Sequence, residues 1–204
     1  NKKRPLSRRA FFVWSRVYSS NESELRVYFL DVGQGDAILI ESPTQGRVLI
    51  DGGPDRKVLS ELGRVLPFGD RRIDVVIESH PDADHITGLV EVMNRFDVDT
   101  FVSTGMRSTN SLDETLDEVI QEKEINKIQA KRGVSIDLGG GAVLTILYPS
   151  GSIEGLETNE ASIVSKLTLG EIDFILTGDS TKLAEYKLLL LNKELLDSEV
   201  LQVG

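Results

Sequence analysis

Both histidines of this 204-residue chain lie in one hexad, His80-Pro81-Asp82-Ala83-Asp84-His85, together with two aspartates. Imidazole nitrogen and carboxylate oxygen are the donors that a hard or borderline divalent cation takes. The chain has no cysteine. Thiolate sites and disulfide partners are therefore excluded, and any metal must be held by His and carboxylate. A tight turn between a strand and a helix can aim alternate side chains at two points. His80 and Asp82 can face one metal, and Asp84 and His85 a second. The plainer alternative is a polar loop in which Asp82 or Asp84 caps the helix.

Other polar residues could join this loop. In Asp31-Val32-Gly33-Gln34-Gly35-Asp36 the glycines permit a tight reversal between strands. Asp31, Gln34 and Asp36 could then line a site, or the segment is a hairpin turn only. Asp51 ends an apolar run ahead of Gly52-Gly53. Its carboxylate could hydrogen-bond the histidine loop and fix a ligand's orientation, or it could cap the next turn. Asp179 follows the apolar run Ile172–Leu176 after Thr177-Gly178. A carboxylate there is costly unless it is paired or metal-bound, the alternative being an N-cap for a helix from Thr181. Asn159 lies 20 residues earlier. Its carbonyl oxygen is a weak neutral ligand; Ser162 or water could serve instead, leaving Asn159 a turn residue.

The elements that must position these residues alternate in type. Strands are predicted at 25–31, 37–41 and 47–51, then a helix over 55–66 stopped by Pro67. A short buried strand at 73–77 delivers the hexad, and a helix over 84–95 follows with its acid at the start. A strand at 98–102 and an acidic amphipathic helix at 112–123 come next. Residues 125–147 read as strands broken by Gly133 and Gly139-Gly140-Gly141. Strands at 161–169 and 172–176 are joined by a Gly170-Glu171 turn, and a helix over 181–191 precedes a strand at 199–203. Strands in hairpins with helices between them predict an α/β layered domain.

The net charge is −10. Residues 1–20 carry six bases and no acid, leaving 17 bases against 33 acids, a net of −16, in the remainder. A body this acidic is poorly suited to gripping nucleic acid through a broad basic face. No run of apolar residues is long enough to span a bilayer. The basic stretch Lys2–Arg9 leads into Ala10-Phe11-Phe12-Val13-Trp14. Residues 1–24 are read as a basic tail or the remnant of a membrane anchor, and 25–204 as one domain.

The hexad resembles the His-x-His-x-Asp-His motif of the metallo-β-lactamase superfamily, with Asp82 where most members have the second histidine. That variant is similar to the hydrolase domain of ComEC-type DNA-uptake proteins. Three further segments carry the same resemblance: Phe29-Leu30-Asp31-Val32-Gly33-Gln34-Gly35-Asp36, Leu49-Ile50-Asp51-Gly52-Gly53, and Asn159-Glu160-Ala161-Ser162-Ile163-Val164 followed by Leu176-Thr177-Gly178-Asp179. The resemblance implies a four-layered αββα sandwich and two divalent metal ions, Zn or Mn. It implies metal ligation by His80, Asp82, Asp84, His85 and Asp179, with Asp179 bridging, and places Asn159 where the family has a ligating histidine. Asp82 and Asn159 make the first position rich in oxygen, which moves preference from zinc toward manganese. The family pattern continues with His-His-Gly-Ser immediately after the position of Gly204. The chain is therefore expected to be truncated at its C-terminus, lacking the last histidine ligand, and the activity of this length of chain is left open.

The activity implied is metal-assisted hydrolysis of a phosphodiester, with single-stranded DNA as the leading substrate. Asp84 is the expected catalytic residue, orienting the attacking hydroxide. The expected setting is the cell envelope, extracytoplasmic and membrane-associated, beside a membrane anchor or channel partner domain. Two alternatives stand beside it. One is a small-molecule esterase or lactonase similar to phosphorylcholine esterases, which the acidic surface favours. The other is a non-catalytic module that binds metal or a partner in a membrane complex.

Overall fold

The computed structural model describes residues 24–108 and 111–203. All but the last residue of the expected basic tail or anchor, 1–24, lies outside the described residues. Eleven strands and four α-helices are described. Strands β1 (Arg26–Phe29), β2 (Ile38–Glu41), β3 (Arg47–Ile50), β4 (Arg72–Ile77), β5 (Asp97–Ser103) and β6 (Asn126–Gln129) form one sheet in chain order. Strands β7 (Ser135–Gly139), β8 (Ala142–Tyr148), β9 (Val164–Leu169), β10 (Ile172–Leu176) and β11 (Val200–Gln202) form the second, ordered β11-β10-β9-β8-β7. The helices are α1 (Lys57–Val65), α2 (Ala83–Arg95), α3 (Leu112–Glu122) and α4 (Lys182–Asn192).

Alternation along the strands builds the layers. In β2 and β3, Ile38, Ile40, Val48 and Ile50 face a core shared with Leu144, Ile146, Leu167 and Leu176 of the second sheet. Their neighbours Leu39 and Leu49 point the other way, onto Val58 and Leu62 of α1 and Ile86, Leu89 and Met93 of α2. A third cluster packs Ala184 and Leu188 of α4 on Leu147, Val164 and Ile175. The result is the expected αββα sandwich, in which each sheet buries both faces.

Most predicted elements lie within a residue or two of the observed ones, and the helix stop before Pro67 is real. Leu66 is extended (φ −83°, ψ 150°), as the residue before proline must be. One prediction needs correction. The strand expected from Ala161 begins at Val164, and Asn159–Ala161 is a short 3-10 turn. The Ile163 N–H is donated to the Ser79 carbonyl at 2.9 Å, so the chain is committed to the histidine loop before it joins the sheet. The glycine-broken stretch 125–147 also splits between sheets, β6 joining the first and β7–β8 the second.

The parallel pairing of β3 with β4 sets Ile50 against Ile77. Asp51 therefore emerges beside the start of the histidine loop, its N–H on the Ile77 carbonyl at 2.9 Å. Helix α2 is clamped against the next residues. Gly52 N–H is donated to the His85 carbonyl (2.8 Å) and Gly88 N–H to the Gly53 carbonyl (3.0 Å). A Cβ on Gly88 would lie 1.8 Å from the Gly52 oxygen. Gly88→Ala is therefore expected to destabilise the chain by about 3 kcal/mol, at the upper end for overpacking. Gly63 on α1 has nothing within 4 Å of an added Cβ. Gly63→Ala is expected to stabilise by about 0.5–1 kcal/mol. Urea denaturation of both variants tests this pair of opposite signs.

Candidate metal centre

The side chains that could do chemistry collect where the C-terminal ends of β3, β4 and β10 meet. Asp51 lies at the centre of the network. It is fully buried and adopts a left-handed conformation (φ 58°), which aspartate tolerates better than most residues. One carboxylate oxygen accepts the Ser79 N–H at 2.8 Å. The other accepts the Ser79 hydroxyl at 2.5 Å and faces His85 Nδ1 at 2.9 Å. With its proton committed to Asp51, Ser79 Oγ accepts from His80 Nδ1 at 2.9 Å. Both rings are thereby turned to present Nε2 as the free nitrogen.

Those two Nε2 atoms are buried and, among the described residues, have no hydrogen-bond partner. An unsatisfied buried polar atom costs about 1–3 kcal/mol. Each instead has a carboxylate oxygen at 3.6 Å: Asp82 beside His80, and Asp179 beside His85. The ring centroids are 4.1 Å apart, so two nearby positions are defined. Paired imidazole and carboxylate donors with orphaned nitrogens fit divalent cations, and His80, Asp82, His85 and Asp179 are the residues that would hold them. Asp51 lies as close to the histidines. Its oxygens are occupied by three donors, so it orients the ligands.

The capping alternatives fall away on geometry. Asp82 is the N-cap residue of α2, yet its side chain makes no capping bond. The N-cap of α4 is Thr181, whose hydroxyl accepts the Ala184 N–H, so Asp179 is free of that role. Asp84 is in the first turn of α2 and accepts Gln34 Nε2 at 3.4 Å. Asp36 joins the cluster: its oxygen, His85 nitrogen and an Asp179 oxygen lie within 4.8 Å of one another.

Three expected residues are placed otherwise. Asp31 has an 80% exposed side chain and is paired with Lys57 Nζ at 2.9 Å, on the side of α1 and away from the cluster. Lys57, at the start of α1, takes the carboxylate at the surface. Asn159 is on the 3-10 turn, where its oxygen accepts the Thr158 hydroxyl at 3.4 Å. Among the described residues no hydrogen bond ties it to the histidine loop. Ser162 is fully buried behind the site with an unpartnered hydroxyl, 2.5 Å from where a Cβ on Gly178 would be.

Ser79 and Gln202 were missed. Ser79 adjoins the hexad, but only the fold turns its hydroxyl between Asp51 and His80. Gln202 Nε2 is donated to Asp36 at 2.8 Å across 166 residues, a relation with no local signal.

The electrostatics follow from crowded acids. Burial disfavours a charged His85, but the hydrogen bond and charge of Asp51, with Asp179 and Asp84, push its pKa up to about 9. Burial, then the charge of His85, holds His80 below the ordinary range. Burial raises Asp36, and Asp51, Asp179 and Asp84 add to it against the opposing charge of His85. The site's negative field is what a multivalent cation would neutralise.

Residues 30–124 match the family described as the metallo-beta-lactamase superfamily. Over this stretch, just under half of its length, the chain is similar to that superfamily. ComE operon protein 3 of Bacillus subtilis (strain 168) is 27% identical over 205 residues, covering 92% of this chain. The chain spans only 26% of that relative's length. Solved structures share the fold. A metallo-β-lactamase from Cronobacter sakazakii matches with TM-score 0.56 and 14% identity, covering 87% of this chain and 74% of its own. CmlA, a diiron β-hydroxylase from Streptomyces venezuelae, matches with TM-score 0.57 and 16% identity, covering 89% of this chain and 34% of its own. The match over residues 30–124 supports a metal-dependent hydrolase in the general sense of that superfamily. An apolar groove of about 310 Å³ between α4 and β10–β11 contains none of the cluster's residues.

Asp51→Ala should weaken manganese binding by about 10–100-fold, because the rings lose the partner that aims them. It should also lower stability by about 1–3 kcal/mol for each buried donor stranded. Asp31→Ala should leave both unchanged. Calorimetric titration with Mn²⁺ and urea denaturation check the contrast.

Proposed function

We propose that this domain hydrolyses phosphodiesters with two divalent ions, and that single-stranded DNA is its substrate in a DNA-uptake setting. The observation that carries the reading is the pair of buried, unpartnered histidine Nε2 atoms, each with a carboxylate oxygen at 3.6 Å. Similarity to ComE operon protein 3 and the hexad's ComEC-type pattern support the nucleic-acid substrate. They also support the cell envelope as the setting, beside an anchor or channel domain. Among the described residues, no helix is long and apolar enough to cross a membrane.

His80 and Asp82 would hold one ion, and His85 and Asp179 the second. When bound, the ions polarise a phosphoryl oxygen and lower the pKa of water. Asp84, steadied by Gln34, orients the attacking water and accepts its hydrogen bond through the carboxylate. Asp51 and Ser79 keep both rings aimed. Two carboxylates stand beside two imidazoles in this set, which suits manganese as well as zinc.

A second reading is a small-phosphodiester esterase. The −16 balance outside residues 1–20 favours it, since few lysines or arginines remain to grip a polyanion. The full-length protein, assayed with Mn²⁺ or Zn²⁺ on single-stranded DNA and on bis-p-nitrophenyl phosphate, separates the two. We expect DNA cleavage with manganese, only a modest decline with salt, and losses of about 100-fold or more in Asp84→Ala and Asp179→Ala. Turnover of the small ester alone favours the esterase. Inactivity on both, with metal bound, leaves a binding module.

A further inference from the structure

We propose that Asp36 is a third ligand to the cation position marked by His85 and Asp179, and that Gln202 holds it in place. The inference rests on the two-ion reading above and adds to it a donor from the β1–β2 loop.

His85 Nε2 is buried without a partner, and the Asp179 carboxylate is 3.6 Å away. Asp36 closes the third side, with all three ligand atoms within 4.8 Å of one another. Ligand bonds to such cations are about 2.0–2.2 Å. Even a triangle with sides at that limit needs each donor to move inward by only about 0.6 Å, within reach of side-chain rotation.

The loop that carries Asp36 is built to stay there. Its Gly35 packs so closely on α2 that a Cβ would lie 1.9 Å from the Asp84 carbonyl oxygen. The Asp36 carbonyl accepts the Gly53 N–H at 2.9 Å. Gln202 then bridges the two sheets. Its Nε2 is donated to Asp36 Oδ2 at 2.8 Å, and its Oε1 accepts the Thr177 N–H at 2.8 Å. Thr177 is two residues before Asp179, so one amide ties the Asp36 carboxylate to the backbone that leads into Asp179. A ligating carboxylate that is itself hydrogen-bonded is the usual arrangement at metal sites. The set of one nitrogen and two charged oxygens suits a borderline-to-hard divalent cation.

The competing role for Asp36 is a strut that only secures β11 through Gln202. Asp36→Asn separates the two, because the amide oxygen can still accept from Gln202 while the charged ligand is gone. Mn²⁺ binding to the full-length protein, followed by electron paramagnetic resonance, is the measurement. We expect two ions in the wild type. Asp36→Asn should weaken one by about 100-fold or more, leave the other within about 3-fold, and not lower the Tm of the metal-free protein. Gln202→Leu should weaken the same ion by about 10-fold. Two ions bound as tightly in Asp36→Asn as in the wild type would overturn the proposal and leave the two-ion reading intact. No ion bound by the wild type overturns both. Asp36→Cys in the cobalt-loaded protein gives an independent readout. If the sequence carried into that protein is this cysteine-free one, a thiolate-to-cobalt charge-transfer band can arise only at position 36. Cobalt bound with no such band also counts against Asp36 as a ligand.

Discussion

The Asp51 carboxylate is buried completely, and three hydrogen bonds from Ser79 and His85 hold it there. A buried carboxylate without partners would cost several kcal/mol. Here the partners are the histidine loop itself, so satisfying the charge and shaping the site are one event. The parallel register of β3 and β4 brings the two together. The close contact of Gly88 with Gly52 allows α2 to approach, and any side chain at Gly88 would push His85 away from Asp51.

The second sheet completes the site through hydrogen bonds and close packing. Ile163 is tied to Ser79, and Gly178 has no room for a Cβ between Ser162 and Ser79. These contacts bring the end of β10 over the histidine loop, which puts Asp179 beside His85. The cost is electrostatic. Asp36, Asp51, Asp84 and Asp179 all act on His85 or on one another. A site that gathers acids while leaving two imidazole nitrogens unpaired has the charge and donors of a cation site and little reason to exist without one.

The fold does not choose the substrate. Proteins with this sandwich include a metallo-β-lactamase and a diiron β-hydroxylase, each under 20% identical to this chain. What is particular here is the donor set. Asp82 stands beside His80, and Asp36 and Asp179 stand beside His85. Chemistry and metal preference follow from those residues rather than from the architecture.

Sequence alone determined the local facts. Residue spacing placed the hexad at a strand-to-helix turn, Pro67 ended α1, and the unbroken apolar runs of β2 and β3 fit a sheet covered on both faces. The candidates His80, Asp82, His85 and Asp179, which the structure brings together, stood out because their types are rare in apolar surroundings and costly there. What only the tertiary structure decided were relations between distant segments. Asp31 and Asp36 share one glycine-rich loop, yet one is drawn to Lys57 at the surface and the other inward to Gln202. The family resemblance offered Asn159 as a ligand or a turn residue, and only the fold places it on a 3-10 turn with its oxygen beside the Thr158 hydroxyl. Ser79 and Gln202 carry no local mark, because a hydrogen bond across 28 or 166 residues depends on sheet register and packing. Periodicity reports which face a residue takes, and only the packed sheets fix what it meets there.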